Sequence, residues 1–285
     1  MAASLVGHDA KASLPPRSYP CAKIRSVTAV AGTGYTPCVP CHVTLANSIA
    51  PLAGSTAMAD FPFDIVGFDL DGTLIDTSMD LLGATNHALG LAGRPLLDKA
   101  AVMTMVGRGG KHMLEQALEA SGGCDEAEMA WLLPALLDWY RDHLTDHSRP
   151  FPGMIEALDA LAARGATLAI VTNKREDLAV KLIGELELRA RFATIIGGDT
   201  MGSGNAKPSA LPIREMIRRC GGGRAAFVGD SIFDTLAARN AGVPSIAVSF
   251  GFLSQPVEEL GADAVIDSYA QLMPALERLG VALPA

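Results

Sequence analysis

Short apolar runs alternate along most of the chain with longer stretches in which apolar residues recur at three- and four-residue steps. The first such run, Ile65-Val66-Gly67-Phe68, reads as a buried strand and leads into Asp69-Leu70-Asp71-Gly72-Thr73-Leu74. Two carboxylates two residues apart thus follow the strand, and a glycine lets the backbone leave the sheet sharply. From Asp76 to about Pro150 the period turns helical. Met129, Leu132, Leu133, Leu136, Leu137, Tyr140 and Leu144 form one stripe, and Leu114, Ala117 and Leu118 do the same in a preceding helix; such stripes face a core. After Phe151-Pro152-Gly153 the pattern predicts a helix from Met154 to Arg164, a strand from Thr167 to Thr172, a helix near Glu176 to Leu188 and a strand near Ala193 to Ile196. A helix ending near Cys220 and strands at Ala225 to Val228 and Ser245 to Val248 complete the series. This alternation predicts an α/β fold, a parallel sheet wrapped by helices. The expected division is a core domain at 59–75 and 151–285, with a helical cap domain at 76–150 inserted after the first strand.

Residues 1–58 depart from this pattern. They hold Lys11, Arg17, Lys23 and Arg25 but a single acid, Asp9, with much Ser, Thr, Pro and Ala and no sustained period, so a disordered extension is expected. Met58 falls just before the first strand, which favours an over-long start; a basic, acid-poor organellar transit peptide is the rival. Cys38-Val39-Pro40-Cys41-His42 has the spacing of a c-type haem attachment site, but no compact signal run precedes it, and chance occurrence is the preferred explanation.

The 285 residues carry a net charge of -8, which argues against a nucleic-acid partner. Residues 59–285 hold 19 basic and 30 acidic groups, so an anionic substrate would have to be drawn by a local site and not by the global field. Glycine and proline interrupt every apolar stretch short of membrane-spanning length, and no membrane partner is expected. Five scattered cysteines do not form a disulfide framework, which points to a reducing, cytoplasmic location.

Polar residues gather where successive strands should end. Asp69, Asp71 and Thr73 follow the first; Thr172-Asn173-Lys174 the next; Lys207-Pro208 opens a later helix; Gly229-Asp230-Ser231 follows Phe227-Val228, with Asp234 a helical turn beyond. Ligands of open parallel sheets bind beyond these carboxyl ends. Paired acids there call for a positive partner, and Mg²⁺ suits one or two carboxylates with phosphate as a further ligand. Val106-Gly107-Arg108-Gly109-Gly110-Lys111 is a glycine-rich loop opening a helix; it lacks the spacer and hydroxyl residue of a P-loop.

These four motifs resemble those of the haloacid dehalogenase superfamily, over roughly residues 62–270. Within it the chain looks closest to phosphoglycolate phosphatases, through Phe68-Asp-Leu-Asp-Gly-Thr-Leu-Ile-Asp76, Val171-Thr-Asn-Lys174, Phe227-Val-Gly-Asp-Ser231 and Val248-Ser-Phe-Gly-Phe252. The third motif departs from the usual Lys-Pro-x-Pro: Lys207-Pro208 is followed by Ser209-Ala210-Leu211-Pro212, which suggests a late helix start.

The resemblance implies a Rossmann-like core with a helical cap, and a Mg²⁺-dependent phosphatase acting on a small anionic ester such as 2-phosphoglycolate, as a monomer or homodimer. It assigns Asp69 as the nucleophile that forms an aspartyl-phosphate and Asp71 as the acid and base. Thr172 or Asn173 and Lys207 would hold the phosphoryl oxygens, and Mg²⁺ would be bound by Asp69, the Asp71 carbonyl and Asp230. Thr73 supports, and Asp234 either backs the metal or orients Lys207. Arg108 is the cap cation expected to meet a substrate carboxylate. A dehalogenase has no alkoxide to protonate and no task for Asp71. Rival readings are a β-phosphoglucomutase-like mutase, a broad-specificity sugar phosphatase and a non-catalytic binding module on the same fold.

Overall fold

The computed structural model describes residues 61–282; the expectations for residues 1–58, including Cys38, Cys41 and His42, lie outside the described residues. In chain order the elements are β1 (Ile65–Phe68), β2 (Ile75–Asp76), α1 (Ser78–Leu91), α2 (Lys99–Met103), α3 (Gly110–Glu119), α4 (Glu126–Asp142), β3 (Arg149–Pro150), α5 (Met154–Ala163) and β4 (Thr167–Val171). There follow α6 (Glu176–Glu185), β5 (Thr194–Ile196), α7 (Leu211–Arg219), β6 (Ala225–Gly229), α8 (Ile232–Ala241), β7 (Ser245–Val248), β8 (Ala264–Ile266) and α9 (Leu272–Ala282). Among them no helix is long and apolar enough to cross a membrane.

Six strands make one sheet in the order β5-β4-β1-β6-β7-β8, every neighbouring pair parallel. The period of two along each strand divides the core. Val66, Phe68, Leu168, Ile170, Ala226 and Val228 face one layer, with α5, α6 and α9. Ile65, Ala169, Val171, Ala225 and Phe227 face the other, with α7 and α8. Burial on both faces explains why these strands read as continuous apolar runs. Gly67 shows how close the second layer sits, since a Cβ there would come within 2.4 Å of Met216 Sδ.

Register places the chemistry. Phe68 stands level with Ile170 on one side and Val228 on the other, so Asp69, Thr172 and Asp230 emerge at one edge of the sheet. Helix α7 starts at Leu211 after Ala210 with no side-chain cap, whereas α8 starts after Ser231. Pro212 lies in the first turn of α7, where its missing N–H costs nothing, and the late helix start leaves Lys207 in the preceding loop. Ser231 and Asp234 form a capping box at the start of α8.

Helices α1 to α4 stand between β2 and β3, which pair antiparallel, Ile75 with Pro150 and Asp76 with Arg149. Leu132, Leu136, Tyr140 and Leu144 of the expected stripe are buried, as are Leu114, Ala117 and Leu118. Asp80 fastens α1 to the returning chain: its carboxylate accepts from His147 N, Ser148 N and Ser148 Oγ.

Candidate active site

The ends of β4, β1 and β6 each contribute a polar group to a common crevice, and the loop before α7 adds Lys207. Asp69 follows β1, and its N–H donates to Val228 O at 2.8 Å, which fixes the residue against β6. Its side chain points inward, 2.8 Å from Lys207 Nζ. The same ammonium donates to Val171 O (2.9 Å) and Asp234 Oδ1 (2.6 Å), and the oxygen it pairs with on Asp69 is Oδ1. Burial works against the charged form of Lys207, but the Asp234 and Asp69 carboxylates outweigh it and hold the ammonium above its usual range.

Asp230 approaches from β6. Phe252 N donates to its Oδ2 at 2.6 Å, and Thr73 Oγ1 reaches its Oδ1 at 3.4 Å. Room for this carboxylate comes from Gly72: its φ of +82° suits glycine, and a Cβ would fall 2.1 Å from Asp230 Oδ2. Asp234 has both oxygens engaged, Oδ1 by Lys207 and Oδ2 by the N–H and hydroxyl of Ser231.

Asp69, Asp230 and Asp234 offer oxygens that all lie within 4.8 Å of one another. Three carboxylates face one ammonium, so two negative charges are unbalanced. Burial pushes the Asp69 carboxyl up to about 6 against the pull of Lys207. Asp230 is raised well above the usual carboxylate range, by burial first and by the Asp69 charge second. The all-oxygen donor set and the residual charge fit a divalent cation.

Asp71 is turned away from this cluster. Its carboxylate accepts from Lys174 Nζ at 2.8 and 3.0 Å and from Thr77 Oγ1 at 2.8 Å. Lys174 also donates to Tyr140 Oη of α4 at 2.6 Å. Neither Lys174 nor Tyr140 stood out in the sequence: Tyr140 reads as one more member of an apolar stripe, and Lys174 as a polar residue after a strand. The available signal was a cation next to Thr172-Asn173 at a strand end.

Thr172 and Asn173 part company. Thr172 Oγ1 accepts from Lys174 N and faces the crevice. Asn173 Nδ2 instead donates to Gly107 O (2.8 Å) and Lys207 O (3.1 Å). Both partners are carbonyls, so the amide orientation is fixed and the amino group is already spent on holding two loops together. Arg108 lies over the Phe233 ring, 5.5 Å from its centroid.

Between sheet edge and helices lies a cavity of about 290 Å³. Asp69, Asp71, Thr172 and Lys174 line it from below, and Leu81, Met113, Leu133, Leu136, Leu137 and Tyr140 from the helices. Arg108 and Lys111 stand at its glycine-rich wall.

Comparison with known proteins places the chain in a family. A family model described as haloacid dehalogenase-like hydrolase matches residues 66–248. A protein of Agrobacterium fabrum named phosphoglycolate phosphatase is 45% identical over 212 residues, covering 73% of this chain and 90% of its own. Another of that name from Caulobacter vibrioides is 41% identical over 223 residues, covering 77% and 93%. Among solved structures, one described as a predicted phosphoglycolate phosphatase from Haemophilus somnus superposes with a TM-score of 0.70 at 28% identity, covering 75% of this chain and 97% of that one.

Proposed function

The chain belongs to the haloacid dehalogenase-like hydrolases and is a phosphomonoester hydrolase, and on that footing we propose that it is a Mg²⁺-dependent phosphatase cleaving 2-phosphoglycolate to glycolate and phosphate. The observation that carries the mechanism is the Asp69 carboxylate, buried at the end of β1 with its Oδ1 paired to Lys207 Nζ at 2.8 Å and its oxygens within reach of those of Asp230 and Asp234. Choice of ester rests on the names of the relatives.

Asp69 attacks phosphorus and becomes an aspartyl-phosphate, which water then hydrolyses, so one difficult displacement becomes two easier ones. Asp71 gives a proton to the leaving alcohol and later takes one from the attacking water. Lys207 and the Thr172 hydroxyl hold phosphoryl oxygens while charge shifts between them. Asn173 acts at one remove, since its amide pins Gly107 and Lys207 in place. Mg²⁺ would be held by Asp69, Asp230 and the Asp71 carbonyl, and when bound it supplies the positive charge that lets a carboxylate approach a phosphate dianion. Asp234 keeps Lys207 oriented. Residues 76–150 serve as the cap over the crevice.

Phosphate release from 2-phosphoglycolate, β-glucose 1-phosphate and p-nitrophenyl phosphate, with and without Mg²⁺, tests the proposal. Metal-dependent release favouring phosphoglycolate, lost in Asp69→Asn, is expected. Conversion of β-glucose 1-phosphate to glucose 6-phosphate with little free phosphate would replace it with the mutase, and activity that outlives the Asp69 carboxylate would remove the nucleophile.

A further inference from the structure

Four cations line the cavity: Arg108, Lys111, Lys174 and Arg175. Three are committed elsewhere or stand at its mouth. Arg108 rests on Phe233, Arg175 pairs with Asp177 at 3.1 Å, and Lys111, 67% exposed, faces Glu115 at 3.5 Å. Lys174 alone among them is buried, and its ammonium touches both oxygens of Asp71 and the hydroxyl of Tyr140. That hydroxyl accepts from Lys174, and among the described residues no acceptor meets its own proton. Around the pair the wall is apolar, made by Leu81, Leu136 and Leu137.

The geometry points to Lys174 and Tyr140 as the receptor for a second anionic group on the leaving alcohol, one carbon from the ester oxygen. It rests on the assignment of Asp71 as the group that meets that oxygen. An ester seated with its phosphoryl group at Asp69 turns its alcohol toward Asp71, and Lys174 Nζ is only 2.8 Å from Asp71 Oδ1. A carboxylate one methylene beyond the ester oxygen therefore reaches the ammonium and the free Tyr140 proton. In taking them it displaces Asp71 from its ion pair and frees that carboxyl to turn to the leaving oxygen. An uncharged alcohol offers Lys174 nothing and leaves Asp71 tied down. Selectivity for esters with an adjacent anion then follows from an exchange of partners on one lysine, and Tyr140 brings α4 into it.

Ethyl phosphate, which carries a methyl group where 2-phosphoglycolate has its carboxylate, provides the test. The ratio of the two kcat/KM values, measured with Mg²⁺ present, does not depend on how much of a variant is folded. Wild type should favour 2-phosphoglycolate; Lys174→Met should lower the ratio at least about tenfold and Tyr140→Phe about threefold, as expected for losing charged and neutral hydrogen bonds to one carboxylate. If the wild-type preference survives in Lys174→Met, the inference is wrong while the substrate assignment stands. A wild type with no preference overturns both. A ratio that collapses in Arg108→Ala and not in Lys174→Met gives the role to Arg108.

Discussion

Asp69 is a carboxylate that the fold buries against a single ammonium shared with Asp234. With its carboxyl pushed up to about 6 by burial, the folded state keeps a proton between pH 4 and 6 that the unfolded chain has released. Metal-free stability should therefore fall as pH rises through that window, by at most about 1.4 kcal/mol per pH unit for one proton. Mg²⁺ bound as proposed would compete with the proton for the same oxygens. The rise in Tm on adding Mg²⁺ should thus grow from pH 5 to pH 7; thermal melts with MgCl₂ or EDTA across that range decide it, and a shift that is flat or larger at pH 5 would show that the Asp69 cluster does not bind the ion. Lys207 answers the same problem with a covalently attached charge. Lys207→Met leaves Asp69 and Asp234 without their ammonium, and urea unfolding without metal should report a loss of about 3–5 kcal/mol. A loss below about 1 kcal/mol would mean that protonation relieves the carboxylates by itself.

Helices and strands obey tighter constraints than single charges do, and Gly67 is where they meet. Its missing side chain lets α7 lie against β1, so Gly67→Ala drives a methyl into Met216 and should destabilise by about 1–3 kcal/mol. Met216→Ala in the same background should return part of that, a coupling that a double-mutant cycle of urea midpoints measures. β1, β4, β6 and β7 were legible because both faces are buried and each run is ended by a polar residue. β8 was not, being a three-residue edge strand with Val265 exposed. Nor were β2 and β3, two residues each, which exist because the chain crosses itself there and not because of local preference. The α4 stripe was readable despite Pro134 in its interior; a ring there costs roughly 3 kcal/mol in an isolated helix, and here Asp125 caps the start and the buried stripe holds the rest. Asp69, Thr172, Lys207 and Asp230 could be placed together from strand ends alone. The partnership of Asp71 with Lys174 and Tyr140 could not, because it joins two elements whose relative position no local pattern encodes.

Across the whole molecule, the two residues that follow Thr172 are among those that tie the helical insertion to the core. Asn173 reaches Gly107 in the loop before α3, and Lys174 reaches Tyr140 in α4. Asn173→Ala removes both amide bonds, at about 1 kcal/mol for each, and should speed hydrogen exchange over residues 106–111 while the strands stay protected; mass spectrometry after deuterium labelling reads this directly, and unchanged exchange there would show that Asn173 does not hold the loop. The pairing of Ile75 with Pro150 has a separate consequence. All of α1 to α4 departs and returns through neighbouring positions, so the segment is a graft on a stock whose strands close without it. Of the groups proposed to face the phosphoryl, Asp69, Thr172, Lys207 and Asp230 belong to the stock, and Tyr140, proposed to face the alcohol, belongs to the graft. On the proposed function, the part that recognises an alcohol can be exchanged while the part that breaks its bond to phosphorus stays untouched.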